Sequence, residues 1–201
     1  IVFGDWSSDV CSSDLATDTN FPPFEFKDET GKHTGFDVEL WDALAKQVGV
    51  EYKLQPMDFN GIIPGLQTGQ LDVGIAGMTI KPERAEVIDF SDPYYNAGLL
   101  ILVRADNTDI QGIGDLKGKV VSTKLGTTSE DFVKKNAQAK EVKLFPNNDA
   151  MILELMSGGA DAVVFDSPVI ANFMRSDAGK GKVKVVRSEE HTSELQSPHT
   201  I

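Results

Sequence analysis

Two residues of opposite charge stand out by type and position. Arg84 follows the segment MTIKPE, and a guanidinium offers a planar fork of N–H donors that matches a carboxylate through two parallel hydrogen bonds. Asp166 closes the apolar run DAVVF, and the C-terminal end of a strand is where open α/β sheets seat their ligands. Each has an ordinary alternative: Arg84 as a solvated arginine in the KPER turn, Asp166 as the cap of a helix beginning at Ser167 and Pro168. Gly126, Thr127 and Thr128 precede a helical stretch whose first N–H groups favour an anion. A capping box from Thr127 to Glu130 is the alternative there. Gly77, with no Cβ, permits close approach of another group to the backbone.

Other chemistries find no support. The sequence has 201 residues, one cysteine (Cys11) and three histidines, so neither a paired thiol set nor a Cys/His metal signature is present. His33, the one histidine in the central part of the chain, sits in KDETGKHTG and reads as a solvated loop residue. No catalytic residue and no cofactor are expected. A formal net charge of -12 argues against nucleic acid, which calls for a basic face. No apolar run approaches the roughly 20 residues that cross a bilayer, and no basic stretch followed by an apolar one opens the chain.

Both ends read as foreign. RSEEHTSELQS, residues 187–197, can be encoded by a string that resembles a common DNA-sequencing adapter. The reverse complement of the same string, in a shifted frame, encodes DWSSDVCSSD, residues 5–14, and begins the codon of Leu15. Residues 1–15 and 187–201 are therefore expected to be non-native flanks, and Cys11 an artefact. Removing their six acids and one arginine leaves a core that is still acidic, at -7.

The elements that must position these residues alternate between short β-branched runs and amphipathic stretches, the pattern of βα units on mostly parallel sheets. Asp37 can cap a helix in which Trp41, Leu44, Ala45 and Val48 recur at helical spacing and Gly49 is the stop. A strand at 51–54, a loop at Pro56 and Asp58, a short helix with Ile62, Ile63 and Leu66, and a buried strand at 72–76 follow. GLLILV, residues 98–103, opens a second series. It runs through strands at 119–122, 141–145 and 161–165, with helices around Phe132 and around Met151 and Leu155. Two α/β lobes are expected, 16–95 and 96–186, joined near YYNAG at 94–98, where small residues suit a hinge.

The segments ATDTNFPPFEF, GFDVELW, PMDFNGIIPGLQTGQLDVGIAGMTIKPER, DFSDPYY, LKGKVV, KLGTTSE and ADAVVFD, in this order and spacing, resemble the polar amino-acid solute-binding proteins of ABC importers across nearly all of residues 16–186. Glutamine-binding members are the most similar. The resemblance implies a type II periplasmic-binding-protein fold, with two α/β lobes closing over one ligand. It gives Arg84 the ligand carboxylate and Asp166 the ammonium. Gly77 and Thr79 would meet the amino acid's head group, and Thr128 lies in the same ligand set. Phe21 and Phe59 would form the walls about the aliphatic stem, although a core role is the usual fate of phenylalanine. Asp18 and Lys124 would face the far end, where an acid opposite a base suits a neutral amide. The sequence departs from the glutamine-binding pattern at Phe165, in place of histidine, and at Thr128, in place of glycine.

The resemblance further implies an extracytoplasmic monomer, periplasmic or held at the cell surface, that delivers its amino acid to a permease and the permease's ATPase. A cyclohexadienyl-type dehydratase and a receptor's sensing domain are the alternatives on the same fold. The family pattern continues beyond residue 186, so the chain is expected to be C-terminally truncated, with apolar surface of the first lobe uncovered, marginally stable, and binding poorly or not at all.

Overall fold

A computed structural model describes residues 1–3, 12–186 and 199–200. Cys11, most of the first adapter-like segment and all of the second fall within residues 4–11 and 187–198, so those expectations lie outside the described residues. The chain divides into two compact units, Ile1–Asn96 and Ala97–His199.

The first unit is built on a five-stranded sheet. In chain order its elements are β1 Val2–Phe3, β2 Ser12–Asp18, the hairpin strands β3 Phe26–Lys27 and β4 His33–Thr34, α1 Phe36–Val48, β5 Glu51–Met57, α2 Phe59–Gln67, β6 Val73–Gly74, α3 Pro82–Ala85 and β7 Asp89–Phe90. The sheet order is β5-β2-β6-β1-β7, with β2 parallel to both β5 and β6 and β1 antiparallel to β6 and β7. Consecutive residues of β2 feed opposite faces, as a pleated strand requires. Leu15 joins Trp41, Ala45, Val73 and Ile75 on the α1 side, and Ala16 joins Phe59, Ile62 and Leu66 on the α2 side.

Several expectations change here. Pro56 lies inside β5 rather than in a loop; β5 is an edge strand, so the missing N–H breaks no ladder. The buried strand expected at 72–76 forms ladder pairs only at Val73–Gly74. In α1 the apolar spacing overstates the buried face: Val38, Trp41 and Ala45 are buried, whereas Leu44 is exposed and Val48 is 71% exposed. Gly49 ends the helix as expected, in the left-handed region. His33 belongs to β4 and is half-buried, not a loop residue; burial, then the charge of Lys27, pulls its imidazole below its ordinary range. Residues expected to be foreign contribute β1 and the start of β2.

The second unit repeats the logic with a mixed sheet. Past β8 Asn96–Ala97 come β9 Leu99–Arg104, a 3-10 turn at Ile113–Leu116, β10 Val120–Lys124, α4 Thr128–Asn136, β11 Glu141–Phe145, α5 Asn148–Met156, β12 Ala162–Asp166, α6 Ser167–Arg175 and β13 Val183–Val186. The order is β11-β10-β12-β9-β13. β10 is parallel to β11 and β12, whereas β9 is antiparallel to β12 and to β13. Central placement explains the apolar run of β9: Leu99, Ile101, Leu102 and Val103 are all buried, each contributing about 1.5–3 kcal/mol. The strand β13 has no counterpart in the expected series, and α6 begins where the capping alternative for Asp166 put a helix. Among the described residues no helix is long and apolar enough to cross a membrane.

Candidate functional site

In the first unit the expected ligand residues gather at one edge of the sheet. Asp18 is the last residue of β2, in register with Met57 at the end of β5, and Phe59 opens α2 two residues later. The chain leaving β6 carries Gly77 and Thr79, and α3 carries Arg84. This is the C-terminal edge of the three parallel strands, where backbone amides and helix starts converge on a ligand.

The contacts form a continuous chain. Arg84 is 7% exposed, so it is not the solvated turn arginine that its sequence context permits. Its Nη1 donates to the Thr79 carbonyl at 2.8 Å, and its Cζ lies 5.6 Å from the centre of the Phe59 ring. Gly77 has φ of +53°, and a Cβ there would meet Cε1 of Phe21 at 2.6 Å, so the absence of a side chain lets that ring lie against the backbone. Phe21 packs on Phe24 with ring centres 5.6 Å apart. Asp18 is fully buried, and its Oδ1 accepts from the Asn20 N–H at 3.4 Å.

Behind this edge sits Asp37, which the local pattern alone places at a helix cap. The cap position of α1 is Gly35, with no side-chain cap, and Asp37 lies inside the helix, fully buried. Its Oδ2 accepts from the Gly77 N–H at 3.1 Å and from the Tyr94 hydroxyl at 2.9 Å, and Glu25 is also fully buried. Burial pushes the Asp37 carboxyl above the usual carboxylate range, against the stabilising bonds from Tyr94 and Gly77. Burial and the neighbouring acids Asp37 and Glu25 push the Tyr94 phenol well above its ordinary value. The only advance signal was an acid between aromatic and β-branched neighbours in GFDVELW.

In the second unit Lys124, Thr128 and Asp166 share the C-terminal end of the sheet. Lys124 ends β10 and is 1% exposed, and Asp166 ends the adjacent parallel strand β12. Thr128 is the first residue of α4 and is buried. A buried hydroxyl network sets this corner. Thr123 Oγ1 and Ser129 Oγ are 2.9 Å apart, and Ser129 Oγ and Thr127 Oγ1 2.7 Å. Thr127 donates to the Lys124 carbonyl at 2.7 Å and Thr123 to the Val164 carbonyl at 2.9 Å. The network thus joins β10, β12 and the start of α4.

The ordinary alternatives resolve unequally. Thr127 Oγ1 does cap α4, accepting from the Glu130 N–H at 3.4 Å, but Glu130 Oε2 accepts from Gly126 N–H at 2.7 Å instead of closing the box on Thr127. One of the three N–H groups offered to an anion is thereby engaged within the turn. Asp166 occupies the cap position of α6 yet makes no side-chain cap bond. Ser167 is instead fastened to Gly98, its N–H donating to the Gly98 carbonyl at 2.7 Å and its Oγ accepting from the Gly98 N–H at 3.3 Å. Phe165, at the departure from the glutamine-binding pattern, is fully buried. Among the described residues no group of three or more His, Cys, Asp or Glu side chains could hold a metal ion.

Comparison with known proteins identifies the family and the fold. The model for bacterial extracellular solute-binding proteins, family 3, matches residues 14–188. The arginine-binding extracellular protein ArtP of Bacillus subtilis (strain 168) is 38% identical over 165 residues, which are 81% of this chain and 64% of that protein. The L-cystine-binding protein TcyJ of Escherichia coli (strain K12) is 38% identical over 147 residues, 73% of this chain and 55% of that one. The chain thus spans between half and two thirds of the length of these relatives. An ancestral arginine-binding protein solved with arginine superposes with a TM-score of 0.84 at 47% identity, covering 88% of this chain and 79% of that chain. An ancestral arginine-binding protein solved with glutamine gives 0.83 at 48%, covering 89% and 79%. An ancestral amino acid-binding protein described as a precursor of cyclohexadienyl dehydratase gives 0.80 at 44%, covering 88% and 77%. The fold is therefore the type II periplasmic-binding-protein fold that the resemblance implied.

Proposed function

The chain belongs to the bacterial extracellular solute-binding proteins of family 3, and from that premise we propose that it is the substrate-binding component of an ABC importer for a polar L-amino acid, glutamine first. Arg84 carries the reading. A guanidinium held on the Thr79 carbonyl and against the Phe59 ring has already given up its rotational freedom, so a carboxylate that meets it regains the full strength of a charge-assisted fork. In this reading Gly77 and Thr79 serve the head group from the first unit, and Asp166 the ammonium from the second, with Thr128 beside it. Phe21 and Phe59 line the stem.

The side chain is chosen by Asp18 and Lys124, both buried. A neutral amide donates to the one and accepts from the other, which favours glutamine. The two ancestral structures, one solved with arginine and the other with glutamine, support a polar side chain that ends in nitrogen. The protein works outside the cytoplasm, periplasmic or at the cell surface, as a monomer, and its partner is a permease with its ATPase.

A thermal-shift panel of all proteinogenic L-amino acids, run on the protein expressed from the full gene, tests this, because a ligand at 100 times its Kd adds about 2.7 kcal/mol to stability. Glutamine is expected to give the largest shift. A largest shift with arginine keeps the class and overturns the choice of side chain; no shift with any amino acid overturns the function. The dehydratase precursor among the structural neighbours favours one other reading. Conversion of a prephenate-like acid, followed by absorbance, would replace binding with catalysis.

A further inference from the structure

The first unit's ligand edge hangs from a buried acid, Asp37, that the proposed amino-acid recognition does not itself use. Asp37 accepts, through one oxygen, the N–H of Gly77 and the hydroxyl of Tyr94. Gly77 is two residues from Thr79, whose carbonyl holds Arg84. Tyr94 is two residues from Asn96, where the first unit ends. One carboxyl oxygen therefore fastens both the backbone that presents Arg84 and the segment leading out of the unit. From residues 21–25 it is faced by Glu25, from the segment before β8 by Tyr94, from the chain start by the Ile1 ammonium, and from Gly77 by a backbone N–H alone.

We infer that Asp37 is a positioning residue for ligand binding: through one carboxyl oxygen it sets the Gly77–Thr79 backbone, and through that backbone Arg84. The placement of Arg84 therefore depends on a carboxyl that never touches the ligand. This inference rests on the proposed role of Arg84.

The test uses the full chain. Calorimetry with L-glutamine and L-arginine is run on wild type, Asp37→Ala, Asp37→Asn and Tyr94→Phe, and the Gly77 amide is followed by 1H–15N NMR from pH 4 to 9. Asp37→Ala is expected to weaken binding about tenfold to a hundredfold, the scale of a displaced binding group. Asp37→Asn, which can still accept from Gly77 and Tyr94, is expected to restore affinity at neutral pH and to abolish its pH dependence. In the wild type the Gly77 amide resonance is expected to follow the titration of Asp37. Wild-type affinity in Asp37→Ala overturns the inference, as does a Gly77 resonance that ignores pH, a measurement that stands even where the alanine variant fails to fold. A wild-type chain that binds neither amino acid overturns the proposed function instead, and the NMR titration still decides the positioning role.

Discussion

Replacing Arg84 by alanine separates recognition from folding. The side chain donates a hydrogen bond of 2.8 Å to the Thr79 carbonyl and lies 5.6 Å from the centre of the Phe59 ring. Losing a bond to a charged group costs about 1.5–3 kcal/mol, but the variant also sheds the cost of holding a guanidinium at 7% exposure. The two largely cancel, and the net change in stability is expected within about 1 kcal/mol, or a melting shift of about 2–4 °C. Ligand binding has no such offset. An amino-acid carboxylate brought to this edge without its fork keeps the cost of leaving water, so about 3 kcal/mol is lost, and Kd rises ~150-fold. Arg84→Lys keeps the charge, loses the second donor, and is expected to fall in between. Calorimetric titration with L-glutamine and L-arginine, beside a melting curve for each variant, reads both quantities. A Kd in Arg84→Ala within threefold of wild type would refute the reasoning, whatever the melting curve shows.

Asp166→Asn removes a negative charge and keeps the shape; amino-acid binding is expected to weaken by about 2 kcal/mol, roughly 30-fold, whereas an analogue lacking the ammonium should bind the two proteins alike, which competition calorimetry can check. Gly77→Ala forces a Cβ to within 2.6 Å of Phe21 at a φ of +53°; a loss of about 1–3 kcal/mol in urea unfolding is expected, and an unchanged midpoint would contradict the contact. Stability should also respond to pH through Asp37. Its folded carboxyl is raised by burial above the unfolded value of about 3.9, so its contribution is whole below that pH and disappears as pH rises through the folded value. The melting temperature of wild type relative to Asp37→Asn should therefore be highest in acid and decline toward neutrality; a constant difference would mean that Asp37 does not titrate. His33, lowered by burial, works in the opposite sense below about pH 6.5, and the paired comparison cancels it.

The sequence by itself determined the order of elements wherever the hydrophobic period was strong. The β11 and α2 stretches, the Gly49 stop and the buried β9 run follow from local pattern, because spacing, branching and a missing Cβ act within a few residues. It also determined the residue types able to grip a zwitterion, since the fork of Arg84 and the charge of Asp166 belong to the side chains themselves. What it could not determine was which partners those side chains would meet. Pro56 was read as a loop because the edge position that tolerates it is a property of the whole sheet. Leu44 and Val48 carried a helical period, yet which stripe of α1 is covered depends on what packs against it. Asp37 was read as a cap because capping is the nearest use for an acid at a helix start. Only the tertiary structure brought Gly77, 40 residues on, and Tyr94, 57 residues on, to the same carboxylate oxygen. A hydrogen bond is specified by distance in space, and no local pattern encodes a distance that the chain closes only when the sheet has formed.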